Sequence, residues 1–171
     1  MKSLSKSLIA AVVLAVLAVG GYLGWSALEQ KPDAPNASFS LLDGKTVDLS
    51  AYRGKVVLVN FWATSCPTCV GEMPELVKTY DQLNPKGFDL VAVAMSYDNP
   101  EFVRNFVQQR QLPFTVAFDA SGQTAKSFKD VRLTPTSFLI DKSGRIVKQY
   151  VGTPNFAELH RIIDKLLARQ A

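Results

Sequence analysis

A layered α/β domain with a central mixed sheet is what this sequence predicts, and three observations carry the prediction. Short apolar runs rich in β-branched residues alternate with helical patterns along most of the chain. The strongest run, Val56-Val57-Leu58-Val59-Asn60-Phe61-Trp62, is apolar at nearly every position, as expected of a central strand covered on both faces. The only two cysteines, Cys66 and Cys69, follow that run at CxxC spacing where an amphipathic helix begins.

The elements can be justified in order. Phe39 to Leu42, Asp43-Gly44 and Thr46 to Leu49 read as an N-terminal β-hairpin about an Asp-Gly turn. After the central strand, a helix is expected from Pro67 to Leu83, with Met73, Leu76, Val77, Tyr80 and Leu83 on one apolar stripe. Pro67 suits its first position, where the missing N–H has no intrahelical role. Pro74 lies inside the helix and frees a carbonyl one turn back. Phe88 to Met95 reads as a second buried strand and 100–110 as a helix. Phe114 to Phe118 and 121–128 follow as an inserted strand-helix pair. Ser137 to Asp141 and Ile146 to Val151 flank the turn Lys142-Ser143-Gly144-Arg145, and 155–168 closes the domain as a helix.

The amino terminus is different. Leu8 to Leu28 carries no charged residue and is preceded by Lys2 and Lys6. As a helix at about 1.5 Å per residue it reaches about 30 Å, the thickness of a hydrocarbon core. The two lysines place its start in the cytoplasm and the rest of the chain beyond the membrane. A cleaved signal peptide is the alternative, although its apolar region is ordinarily shorter. The expected organisation is an anchor at 1–31, a tether at 32–37 and one globular domain at 38–171. The formal charge of +4 includes Lys2, Lys6 and Lys31, and no basic stripe interleaved with aromatics marks a nucleic-acid partner.

Two thiols three positions apart at a helix start can close a disulfide without moving the backbone. The helix N-terminus favours a thiolate on Cys66, and the thiolate is the species that attacks disulfides. Cys69, inside the first turn, is shielded and placed to resolve a mixed disulfide by attacking Cys66. A zinc half-site would need two more N or S ligands, and the chain has one histidine, His160. A permanent staple across so short a loop would restrain little of the unfolded chain. No metal or other cofactor is therefore expected beyond the disulfide itself.

The stretch Phe61-Trp62-Ala63-Thr64-Ser65-Cys66-Pro67-Thr68-Cys69, with Glu72-Met73-Pro74 and Thr134-Pro135-Thr136-Ser137-Phe138-Leu139-Ile140-Asp141, resembles membrane-anchored thiol–disulfide oxidoreductases of the TlpA/ResA type. The resemblance runs from about residue 38 to the end. It implies a thioredoxin-like fold in the bacterial envelope, facing the periplasm or its equivalent. It also implies that Pro135 is cis and packs on the CxxC, with Thr134 offering its backbone to a partner strand. Trp62 would cover the disulfide, and Pro67-Thr68 would tune its potential and meet the partner. Glu72 lies three residues after Cys69, so the two side chains neighbour each other on the helix. Thioredoxins carry a buried Asp where this chain has Asn60, and an amide cannot take the Cys69 proton. Glu72 is then the carboxylate to do so. Ser65 departs from the pattern, since many relatives place Trp there.

From the same resemblance come expected partners: protein thiols and disulfides, among them apocytochrome c or oxidase-assembly proteins, and a membrane protein that donates electrons. The direction is expected to be reduction, with oxidant or isomerase as the alternative. A copper chaperone using Cys66, Cys69 and His160 is a further alternative, but such proteins carry CxxxC and a loop histidine. His160 is expected on the polar side of the last helix. A peroxidase would place Pro and Thr where this chain has Val59 and Ala63.

Overall fold

The computed structural model describes residues 8–17, 19–21 and 31–169. The chain divides into two units after Pro32. In the first, residues 8–17 and 19–21 are helical with exposed side chains. The rest of the expected anchor, residue 18 and residues 22–28, lies outside the described residues. Among the described residues no helix is long and apolar enough to cross a membrane.

The second unit begins earlier than the apolar patterning implies. Asp33 bridges Arg145 in antiparallel fashion, and the Ala34 amide donates to the Gly144 carbonyl at 2.9 Å. The segment expected as a tether thus finds backbone partners on the edge of the last hairpin, as a polar extended chain beside an open edge does.

Strands β1 (Ser38–Ser40) and β2 (Thr46–Asp48) form a two-stranded antiparallel sheet of their own. Its turn uses Gly44 at φ 86°, a conformation that favours glycine. The main sheet contains β3 (Val56–Trp62), β4 (Phe88–Ala94), β5 (Thr115–Phe118), β6 (Thr136–Ile140) and β7 (Ile146–Val151). Their spatial order is β5-β4-β3-β6-β7. The β3–β4 and β4–β5 pairs are parallel, and β3–β6 and β6–β7 are antiparallel. Helices α1 (Pro67–Leu83) and α2 (Pro100–Arg110) follow β3 and β4, α3 (Gln123–Ser127) follows β5, and α4 (Phe156–Leu167) closes the chain. The expected strand-helix order is present, with element ends shifted by a residue or two.

Strand alternation explains the core. Every residue of β3 and β4 is buried. Val56, Leu58 and Trp62 belong to a cluster with Met73, Leu76, Val103, Leu159 and Ile163, drawn from α1, α2 and α4. Val57, Val59 and Phe61 belong to a second cluster with Phe39, Phe128 and Phe138 on the other face. Phe61, Phe128 and Phe138 form a three-ring group with centroids 5.1–6.1 Å apart. Such tilted and edge contacts add to the area that the rings bury. Asp89, buried at a β4 position beside the core, is neutralised by Lys55 at 2.8 Å.

Phe138→Ala should cost about 3–5 kcal/mol of stability, because the ring is wholly buried and its neighbours cannot fully close the gap. Urea unfolding of the oxidised protein measures it, and Phe138→Leu should lose distinctly less.

Candidate active site

β3 ends at Trp62, and the parallel ladder extends one step further where the Met95 amide donates to the Trp62 carbonyl at 3.0 Å. The chain then turns through Ala63, Thr64 and Ser65 into α1. Asp98 holds this turn from the neighbouring loop. Its Oδ2 accepts the Thr64 amide and its Oδ1 the Thr64 hydroxyl, both at 2.6 Å. Cys66 is extended (φ −98°, ψ 105°) and caps α1, while Pro67 occupies the first turn. An extended residue followed by proline is the usual entry to a helix.

Cys66 and Cys69 are joined as a disulfide. The Cys69 amide donates to Cys66 Sγ at 3.2 Å, so a free amide of the helix start already points at that sulfur. Cys66 is half-buried and Cys69 wholly buried, while Ser65, Pro67 and Thr68 are exposed. The accessible sulfur is therefore that of Cys66. It lies 3.6 Å from the Thr134 carbonyl oxygen, and the Thr134–Pro135 bond is cis. Thr134 is half-buried, and Pro135 is buried behind it.

Below the disulfide lies a buried polar group. Asn60 projects to the α1 side of β3, where its Nδ2 donates to Glu72 Oε1 and to Ser137 Oγ, each at 2.9 Å. Asn60 and Ser137 face each other in the β3–β6 register. Among the described residues Glu72 Oε2 and Asn60 Oδ1 have no hydrogen-bond partner. Glu72 is 3 % exposed, and burial pushes its carboxyl up to about 7, although the Asn60 amide and the Thr153 hydroxyl pull the other way. Near neutral pH such a group can hold or release a proton three residues from Cys69.

Two expectations need correction. Trp62 is wholly buried, stacked at a tilt on Phe106 with ring centroids 5.2 Å apart, because β3 turns it into the α1 core rather than outward. In the oxidised form it has no surface to offer a partner. His160 is not a free surface residue. It is half-buried, and its Nε2 sits 2.7 Å from the Thr79 hydroxyl, linking α4 to α1. Among the described residues no three His, Cys, Asp or Glu side chains gather as a metal site. Cys66, Cys69 and His160 do not form such a group.

Sequence reasoning missed Ser137, Thr153, Tyr97 and Asp98. Ser137 carried a usable signal, since a polar residue in an otherwise apolar strand, like Asn60, asks for a buried partner. Asp98, in Asp-Asn-Pro before a helix, resembles an ordinary cap. Only the fold brings it to Thr64.

An accessible sulfur at a helix start, its partner shielded behind it and a cis-proline loop alongside define a thiol–disulfide oxidoreductase. The Redoxin family model matches residues 29–163. The thiol-disulfide oxidoreductase ResA of Bacillus cereus is 35 % identical over 150 residues, covering 85 % of each chain. That of Bacillus subtilis is 32 % identical, covering 81 % of this chain and 76 % of its own. A thioredoxin-like protein of Neisseria meningitidis, solved in solution, superposes with a TM-score of 0.73 at 44 % identity, over 80 % of this chain and 91 % of its own. A thiol:disulfide interchange protein of Chlorobium tepidum gives 0.73 at 29 % identity, over 81 % and 98 %. The chain belongs to the Redoxin family. Its fold is thioredoxin-like, and it is a thiol–disulfide oxidoreductase of the ResA kind with a CxxC pair.

The raised Glu72 pKa has a definite linkage sign. Between its unfolded value of 4.5 and about 7 the folded protein holds the extra proton, so stability falls as pH rises through that window. Glu72→Gln, neutral throughout, should flatten this slope and leave the oxidised protein more stable than the parent at pH 8, by on the order of 1–3 kcal/mol. Urea midpoints at pH 5 and pH 8 measure it.

Proposed function

We propose that this oxidoreductase works outside the cytoplasm, tethered by residues 8–28, and reduces disulfides of selected partner proteins, such as apocytochrome c before haem attachment. The observation that carries the proposal is the asymmetry of the pair. Cys66 is the reachable sulfur, and Cys69 is enclosed three residues before the buried acid Glu72 on the same helix. The uncharged run supports the tether, and kinship with ResA-type relatives supports the reductive direction.

In the reduced protein the Cys66 thiolate attacks one sulfur of a partner disulfide. A mixed disulfide forms, and the other partner sulfur leaves as a thiolate that takes a proton. Thr134, with its carbonyl 3.6 Å from Cys66 Sγ, provides the backbone edge on which an extended partner strand can lie. Pro135 behind it and Pro67-Thr68 in front border the same approach. Cys69 then loses its proton to Glu72 and attacks Cys66 Sγ. The second partner thiolate leaves and is protonated in turn. The partner gains two electrons and two protons, and the protein returns to the Cys66–Cys69 disulfide. A membrane protein outside the chain must then re-reduce it.

Cys69→Ser should accumulate partners on Cys66 as mixed disulfides, visible as adducts on non-reducing gels that dithiothreitol releases. Cys66→Ser should accumulate none. Equilibration of the parent protein against graded thiol–disulfide buffers tests the direction. A potential near about −270 mV fits a reductant, and one near about −120 mV replaces this reading with that of an oxidant.

A further inference from the structure

The turn Ser96–Asn99, between β4 and α2, touches both loops of the redox site and belongs to neither. Asp98 reaches one of them. It is 8 % exposed, and its carboxylate accepts three hydrogen bonds, two from Thr64 at 2.6 Å and one from the Asn99 amide at 2.8 Å. Thr64 stands two residues before Cys66. The adjacent residue, Tyr97, reaches the other loop, since its hydroxyl is 3.0 Å from Thr134 Oγ1. Thr134 is the residue whose carbonyl lies 3.6 Å from Cys66 Sγ.

The turn is itself held at both ends. On one side the Met95 amide continues the β3–β4 ladder, and the Asp98 amide donates back to the Met95 carbonyl at 3.0 Å. On the other, Asn99 caps α2 by accepting the Glu101 amide at 2.8 Å. Two adjacent side chains on a fixed turn thus grip two loops that approach from different strands. One loop carries the sulfur, and the other carries the backbone edge beside it.

We infer that Ser96–Asn99 is a clamp that sets the gap between Cys66 and the Thr134 edge, with Asp98 and Tyr97 as positioning residues for exchange with peptide disulfides. The inference rests on the reading of Cys66 as nucleophile and Thr134 as docking edge. Carboxylate bonds to a backbone amide and a hydroxyl are charge-assisted, so the Asp98 grip is the firmer of the two. The Tyr97 grip is a neutral bond at a residue 59 % exposed. It restrains Thr134 without holding the core together, so its loss should act on docking rather than on folding.

The test uses the full-length protein, reduced beforehand, in single turnovers against a two-cysteine peptide disulfide and against glutathione disulfide. Tyr97→Phe deletes only the hydroxyl. It should raise the half-saturating peptide concentration about three- to tenfold, leave the limiting rate little changed, and affect glutathione disulfide less. Thr134→Val removes the same bond from the other side, so the double variant should be no worse than the poorer single one. Thr64→Val drops one of the two bonds to Asp98 while keeping the shape of the side chain. It should lower the limiting rate for both disulfides. Tyr97→Phe matching the parent in half-saturation overturns the clamp, as do losses that multiply in the double variant. Peptide exchange that survives Cys66→Ser removes the underlying reading and the clamp with it. Exchange that Cys66→Ser abolishes but Tyr97→Phe leaves at the parent's half-saturation removes the clamp alone.

Discussion

The complete burial of β3 is the constraint on which the rest depends. A strand with apolar side chains on both faces can neither slip by one residue nor twist free, because either would carry part of a core into water. It is paired along its length with β4 on one side and β6 on the other. Its end at Trp62 is therefore a fixed point. Four residues later Cys66 caps α1, and α1 is itself fixed by Met73, Leu76 and Leu83 against the same sheet. The position of the sulfur is inherited from the core rather than made locally.

The same two-faced burial produces the chemistry below the disulfide. A strand that alternates faces brings Asn60 to the α1 side, where a hydrocarbon contact would be the ordinary choice. Instead Asn60 binds Glu72 and Ser137, and the three form a polar island in a low-dielectric setting. Leaving Glu72 Oε2 and Asn60 Oδ1 without donors is costly for a resting protein. In the proposed mechanism that site takes up the proton that Cys69 gives up when it attacks Cys66. The asymmetry between the cysteines has the same origin, since the first residues of a helix face solvent on one side and the core on the other.

The β4–α2 turn shows how a redox site can be assembled from distant parts. Cys66, Asp98 and Thr134 are separated by tens of residues, yet successive hydrogen bonds join their loops. The parallel β3–β4 pairing places the turn there, because parallel neighbours end at the same edge of a sheet, as Trp62 and Ala94 do. The cis-proline loop enters that edge from β6, which runs in the opposite direction.

Much of this was legible in the amino-acid sequence. Apolar periodicity alone marked the four α-helices and the five main strands described between residues 56 and 167 to within a residue or two, because one pattern serves both the local period and the core. The CxxC after a buried strand announced thiol chemistry, since no other spacing of two thiols closes so readily at a helix start. Glu72 was visible as a helical neighbour of Cys69, but its burial was not. What was illegible depended on contacts across the chain. Trp62 was expected to meet a partner and is wholly buried, because the alternation along β3 puts its ring in the α1-side core with Cys69. His160 was expected in solvent, but the packing of α4 on α1 brings it to Thr79. The sequence by itself determined the elements and the reacting sulfurs, which are local properties of period and spacing. Only the tertiary structure decided why Glu72 holds its proton to about 7 and which loop grips Thr134, because burial and proximity between distant residues exist only once the sheet has formed.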